Sequence, residues 1–357
     1  MPILLSIALA AAAGPSASER VSWTNPLVEQ RADPHLTLYE GQYLMTATVP
    51  EYDRIEIRRA PSLDALRDAT PHVVWRRHGS GPMSWHIWAP ELHRIDGRWY
   101  IYFAAGKAED IWAIRMYVLE NASEDPLTGT WVEKGQIKTK WDTFSLDATT
   151  FVHRGQRYLA WAQKDPAIEG NTNLYLAKMD TPWSITGEQV RLSKPDLPWE
   201  RVKYMVNEGP AVLIRNGRVF MTYSASATNE YYCMGLLTAD EDADLLDPKS
   251  WRKSQRPVFA TWSVNGVYGP GHNSFTTTPD GKTDVMVYHA RSYREIVGHE
   301  LDNPDRHTRA QPISWRADGT PDFGVPVPDG LLVVGGRIGD APGTDRGRIG
   351  DRPLPVR

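Results

Sequence analysis

Apolar and aromatic residues fall along this chain in short runs of strand length, and the runs recur. YLMTATV, WYIYFAA, RYLAWAQ, VFMTYSA and DVMVYHA are rich in β-branched and aromatic residues, which suit a pleated, half-buried strand. Just before each lies a compact turn, EGQ, DGR, RGQ, NGR or PDGK, whose glycine can take the positive φ of a tight hairpin. A further apolar run precedes each turn, so every unit contains a hairpin. A third strand follows in IEIRRA, IRMYVLE, NLYLAKM, YYCMGLL and RHTRAQPISW. Several units continue into a loop ending in Trp or Leu, such as APSLDALRDATPHVVW and ADLLDPKSWRKS, where a fourth strand is expected.

Helix signals are sparse. SLDALRDA, at 62–69, predicts one short turn capped by Ser62. No strand–helix alternation occurs, which argues against an eight-fold β/α barrel or a doubly wound sheet. Five similar four-stranded units of roughly 60 residues predict an all-β protein, a five-bladed β-propeller. The rival, a β-sandwich with a second domain, needs no such period.

One polar residue opens each unit: Asp33 in ADPHL, Glu91 in WAPELHRIDG, Asp147 in SLDATTF, Glu208 in NEGPAVL and His272 in GPGHNSF. The spacing to the turn predicts that each sits near the start of its blade's innermost strand, at one rim of a central funnel. Three carboxyl groups then converge from distant parts of the chain. An isolated Asp or Glu in a loop usually caps a turn; three at matching repeat positions suggest chemistry. Glycoside hydrolysis needs two carboxyl groups flanking the scissile bond, one protonated and one ionised. A third carboxylate nearby raises the acid's pKa, because like charges oppose a second ionisation.

Composition narrows the partners. The chain has 357 residues and a net charge of −4, which gives no reason to expect nucleic acid or anionic membrane. Against 7 Phe stand 14 Trp and 15 Tyr, flat faces with a polar edge that suit stacking on sugars, although β-strands use aromatics anyway. The single Cys233 excludes an intramolecular disulfide. Residues 1–19 begin with the apolar stretch MPILLSIALAAAA followed by small residues, too short to span a bilayer and similar to a signal peptide with its linker. The propeller is expected over 20–334. The Gly/Arg-rich 335–357 has too few large apolar residues to repay ordering.

In their order and spacing, ADPHL, HIWAPELHRIDGRWYIYFAA, SLDATTF, NEGP and GPGHNSF resemble glycoside hydrolase family 43, and within it the exo-acting α-L-arabinofuranosidases. The resemblance covers roughly 21–330. It implies an inverting hydrolase that releases terminal arabinofuranose from arabinan or arabino-oligosaccharides, most simply at α-1,5 linkages. By motif, it implies Asp33 as general base, Glu208 as general acid and Asp147 as the carboxylate that tunes the acid. It suggests Trp88 as a pocket wall or a blade-packing residue, and Arg291 as a substrate contact or an interblade ion pair. His35 and Gln163 are further substrate-binding candidates. No cofactor is required by the chemistry; the family's axial histidine matches His272, which implies calcium or another cation held there through water. A secreted or periplasmic monomer is expected. Within the same fold the alternative is a β-xylosidase or bifunctional pentosidase. From a different class, a non-catalytic carbohydrate-binding propeller would have replaced one of the three carboxylates.

Overall fold

A computed structural model describes residues 21–334. Trp23–Leu332 form one compact unit; Val21, Ser22, Val333 and Val334 belong to a second unit whose other residues lie outside the described range. The segments read as signal peptide with linker (1–19) and as tail (335–357) also lie outside it.

After strand β1 (Val21–Asn25), the chain builds five antiparallel blades in sequence order. Blade one contains β2 (Ala32–Tyr39), β3 (Gln42–Thr48), β4 (Arg54–Ala60) and β5 (His72–Arg76). Blade two contains β6 (Pro82–Ile95), β7 (Arg98–Lys107), β8 (Asp110–Asn121) and β9 (Val132–Gln136). Blade three contains β10 (Ser145–His153), β11 (Gln156–Gln163), β12 (Asn173–Thr181) and β13 (Ser184–Ser193). Blade four contains β14 (Asn207–Arg215), β15 (Arg218–Ala225), β16 (Cys233–Asp240) and the short β17 (Arg252–Lys253). Blade five has β18 (Tyr268–Thr277), β19 (Asp284–Arg291) and β20 (His307–Pro312). The whole is a five-bladed β-propeller.

The glycine of each predicted hairpin turn has positive φ: Gly41 73°, Gly97 79°, Gly155 78°, Gly217 70° and Gly281 69°. In the first four turns the preceding residue is also left-handed, the pairing of a type I′ turn whose twist matches the strands. The expected short helix is a 3₁₀ turn at Asp64–Leu66, and Ser62 Oγ accepts the Ala65 N–H at 3.2 Å.

Blade five departs from the expected four-stranded unit. Its outer edge is covered by residues 25–28: Leu27 N–H donates to Thr308 O, Thr308 N–H to Val28 O, and Asn25 brackets Ala310. Pairing this segment, just before blade one, with the last blade closes the ring and removes an exposed edge. The core is correspondingly not central but lies between blades. Leu44 and Ile57 of blade one pack with Leu92 and Phe103 of blade two, and Tyr102 and Met116 pack with Trp161 and Tyr175 of blade three. Blades three and four share Ala160, Leu176, Met221 and Leu237; blades four and five share Phe220, Met234, Met286 and Tyr288.

The innermost strand of each blade carries the same defect. Two residues bulge out against one on the neighbouring strand at Asp33–Pro34, Ala89–Pro90, Asp147–Ala148, Gly209–Pro210 and His272–Asn273. The first residue of each bulge is left-handed, with φ of 52°, 47°, 59°, 55° and 44°. This corrects the sequence register. The equivalent positions are 33, 89, 147, 209 and 272, so Glu208 stands one residue before its blade's equivalent position and Glu91 two after. Glu91 is also not near a strand start, because β6 begins at Pro82.

Candidate active site

Bulges of this kind re-aim side chains and are common beside functional sites. Here Asp33, Asp147 and His272, all bulge residues, line one cavity of about 320 Å³ together with Glu208. Blade four uses the preceding residue for a local reason. The Gly209 position faces the His272 ring, where an added Cβ would lie 3.1 Å from Cγ, and its φ is +55°. A side chain at 209 would therefore crowd the His272 ring, and the carboxyl group comes from 208.

The three carboxyl groups sit in unlike surroundings. Asp33 is buried; its Oδ2 accepts a 2.6 Å hydrogen bond from Thr48 Oγ1. Its Oδ1 lies 3.3 Å from His272 Nδ1 and 3.5 Å from the Arg306 guanidinium. Burial alone would raise its pKa, but the pull of His272 and Arg306 prevails and holds the group well below the usual carboxylate range. The backbone N–H of Asp33 donates to His289 Nδ1 at 3.0 Å, and burial pushes the His289 pKa down to about 4.

Glu208 and Asp147 are shifted the other way. Burial, reinforced by the Asp33 charge, pushes Glu208 up to about 7, against the hydrogen bond from Tyr232 Oη to its Oε1 at 2.8 Å. Burial likewise raises Asp147, to about 8; His272 opposes this, and the negative charges of Glu208 and Asp33 add to it. Asp147 Oδ2 accepts the Gly209 N–H at 2.9 Å, tying it to the strand that carries Glu208. Asp147 and Glu208 titrate as a pair, and the proton held near neutral pH belongs to both. The site thus contains one persistently ionised carboxylate beside a pair that retains a proton, a division suited to acid–base chemistry.

The remaining candidates separate. Trp88 lines the cavity, stacked on His86 with ring centroids 4.4 Å apart, so it is both wall and packing residue. Arg291 is fully engaged elsewhere, contrary to a substrate contact. Its guanidinium donates to Asn303 Oδ1, Thr228 O and Glu300 O at 3.0, 2.6 and 2.8 Å, holding the segment that brings His299, Glu300 and Leu301 to the cavity. Gln163 is likewise turned away: its amide donates to Thr139 Oγ1 and Trp141 O and accepts from Trp161. His35 lies below the cavity, with its ring 4.7 Å from that of His93.

Arg306, Tyr232 and Thr48 are cavity or carboxylate contacts that sequence reading missed. Arg306 precedes the third strand of blade five and holds both Asp33 and, at 3.1 Å, the Tyr52 hydroxyl. None occupies the repeated position on an innermost strand, so the period carried no signal for them. Tyr204, by contrast, is expected near the leaving-group side from its place in YMVNEGP just before the acid, and it lines the cavity.

Two residues beyond the bulges, the next level of the axis is formed by His35, Glu91, Thr149, Ala211 and Ser274. Ligand-type atoms of His35, Glu91 and His93 lie within 4.8 Å of one another. Leu92 N–H donates to His35 Nδ1 at 3.3 Å, which leaves the imidazole proton on Nε2, facing Glu91 at 3.8 Å. His93 Nε2 meets the same carboxylate at 2.8 Å. The trio is a packed plug with one hydrogen bond, His93 to Glu91, and a poor ligand set, since a metal needs the Nε2 lone pair.

The family model of glycosyl hydrolases family 43 matches residues 23–321. An extracellular exo-α-(1→5)-L-arabinofuranosidase of Streptomyces avermitilis is 56% identical over 332 residues, covering 93% of this chain and 69% of that protein. α-L-Arabinofuranosidase 43 of Humicola insolens is 56% identical over 325 residues, 90% of this chain and 67% of that protein. The crystal structure of an α-L-arabinofuranosidase from Lactobacillus brevis superposes with a TM-score of 0.84 at 53% identity, covering 86% of this chain and 98% of that one.

Proposed function

The chain belongs to glycosyl hydrolase family 43, and from that premise we propose that it is an inverting exo-α-L-arabinofuranosidase that removes terminal arabinofuranose from α-1,5-linked arabinan and arabino-oligosaccharides. The observation that carries the reading is the meeting of Asp33, Asp147 and Glu208, with opposed ionisation, in one small cavity. The names of the relatives supply the sugar and the linkage.

In this mechanism the terminal sugar enters the cavity with its anomeric carbon between Asp33 and Glu208. Asp33, kept ionised, takes a proton from water as that water attacks. Glu208 gives its proton to the glycosidic oxygen as the bond to the leaving sugar breaks. One displacement results, with inversion. Asp147 keeps the shared proton available and, through Gly209 N–H, steadies the backbone beside the acid. Arg306 and Thr48 fix the base. Trp88 offers a flat wall to the sugar ring.

A cation on the axis belongs to the same proposal. His272 and the nearby carboxylates, 3.3 and 4.0 Å from its Nδ1, form a donor set suited to holding a hydrated divalent cation. Such an ion would supply positive charge near the carboxylates. Dialysis against a chelator is expected to lower activity severalfold, with recovery on adding back calcium; activity indifferent to both treatments would remove the ion from the account.

The proposal also takes the enzyme to be a secreted or periplasmic monomer acting on arabinose-containing polymers. Two relatives are named extracellular, and no helix among the described residues is long and apolar enough to cross a membrane. The test is product analysis on linear 1,5-arabinan, with proton NMR of the first product. Arabinose alone, appearing first as the β-anomer, is expected. Oligosaccharides as first products would overturn exo action, the α-anomer would overturn inversion, and faster release of xylose from xylosides would favour the pentosidase alternative.

A further inference from the structure

Blade two overruns the propeller face. The first strands of the other blades begin one to four residues before their bulge, at Ala32, Ser145, Asn207 and Tyr268, whereas β6 begins at Pro82, seven residues before Ala89. Its extra length contains two more register shifts, between Pro82 and Trp85 and between Trp85 and Trp88. Met83 and His86 there are left-handed, with φ of 61° and 50°. Left-handed backbone at residues other than glycine is unfavourable and persists where the surroundings enforce it.

The overrun lifts a set of aromatic rings beside the cavity. Trp85 is 37% exposed and Trp112, near the start of β8, is 50% exposed. Both are held by neighbours. The Arg77 guanidinium lies 5.0 Å above the Trp85 ring. His86 packs against Trp85, Trp88 and Trp112, with ring centroids 6.0, 4.4 and 5.1 Å away, and its Nδ1 meets Ile111 O at 3.0 Å. Trp85 and Trp112 line a second groove, which shares Trp112, His299 and Leu301 with the catalytic cavity. The two spaces are therefore contiguous at the cavity mouth. Glu51, Arg77 and Asp302 supply polar groups to the groove, and Tyr52 links it to the chemistry. The Tyr52 hydroxyl donates to Leu301 O at 2.5 Å and accepts from Arg306, which holds Asp33.

We propose that this groove, with Trp85 and Trp112 as its platform, binds the arabinofuranosyl units downstream of the scissile bond. The inference rests on the exo-arabinofuranosidase reading. If the terminal sugar fills the cavity, the rest of the chain must leave through its mouth, and this groove adjoins that mouth. Exposed indole faces cover the C–H faces of sugar rings, while carboxylate and guanidinium groups at the edges pair with hydroxyls. The immobilised rings lose little freedom on binding, which favours affinity.

The test compares Trp85→Ala with the unaltered enzyme, Trp85 being a groove residue that does not line the catalytic cavity. Substrates are an aryl α-L-arabinofuranoside with a small leaving group and α-1,5-arabino-oligosaccharides of two to five units. The unaltered enzyme is expected to improve in kcat/KM as the oligosaccharide lengthens. Trp85→Ala is expected to lose about tenfold on the longer substrates, through KM, and to change less than about twofold on the aryl substrate. Trp112→Ala should show the same chain-length loss. An unchanged chain-length profile, or an equal loss on both substrate types, overturns the groove assignment while leaving the activity intact. Failure of the unaltered enzyme to cleave any arabinofuranoside overturns the activity reading, and the groove assignment with it.

Discussion

Glu208→Gln is expected to lower kcat/KM on arabino-oligosaccharides by about 10²- to 10⁴-fold, the usual worth of a positioned general acid. The amide keeps the shape of the side chain, and its oxygen can still accept the Tyr232 hydroxyl, so folding should be preserved and circular dichroism unchanged. The diagnostic is the leaving group. A sugar alkoxide needs a proton as it departs, whereas 2,4-dinitrophenolate does not. The loss should therefore shrink to a few-fold on the dinitrophenyl arabinofuranoside. An equal loss on both substrates would falsify the acid assignment.

The same residue should shape the pH profile. The acid works while protonated, and burial has raised its pKa to about 7, so kcat/KM should hold through mildly acidic pH and fall as pH rises past that range. Asp33 works while ionised and is held below the ordinary carboxylate range, so the acid limb should lie unusually low. Asp147→Asn removes the partner whose charge opposes loss of the pair's last proton, and should shift the alkaline limb to lower pH. A limb that does not move would take the tuning role from Asp147. In Glu208→Gln acting on the dinitrophenyl substrate, the alkaline limb should be absent.

Asp33→Asn carries the second large effect, a loss of about 10²- to 10⁴-fold in kcat/KM that is independent of leaving group. Water must lose a proton whatever departs from the opposite side of the sugar. Comparing both substrates separates base from acid: a loss confined to the poor leaving group would assign Asp33 the wrong half of the reaction. The substitution should also be felt in stability. A carboxyl group whose folded pKa is depressed contributes stability above its unfolded value, about 3.9, and loses that contribution as pH falls towards the folded value. Asp33→Asn leaves Arg306 buried without its carboxylate neighbour. Urea unfolding should therefore show a less stable variant at neutral pH, with the gap closing in acid; a constant gap would mean that the ion pair is not its source.

Much of the architecture was legible because hairpins are local. Turn glycines, strand-length apolar runs and their period reflect interactions within a few residues, so Gly41, Gly97, Gly155, Gly217 and Gly281 announce their turns without reference to the rest of the molecule. Asp33, Asp147 and Glu208 stood out for the same reason, as repeated departures at the head of an apolar run. Their register did not. Whether a residue occupies a bulge depends on the strand opposite, and Glu208 and Glu91 were displaced from the true repeat position by one and two residues. Glu91 consequently belongs to the plug with His35 and His93.

By itself the sequence determined the family, the five hairpin-based blades and the three carboxyl groups, because each leaves a mark in residue type at short spacing. Only the tertiary structure decided that residues 25–28 complete blade five, that Arg306 holds the base while Arg291 is engaged away from substrate, and which carboxyl groups stay ionised. Those outcomes depend on burial and on charges a few ångströms away in space but hundreds of residues away along the chain, as Asp33 and Arg306 are. A pKa is set by such neighbours, and no local pattern records them.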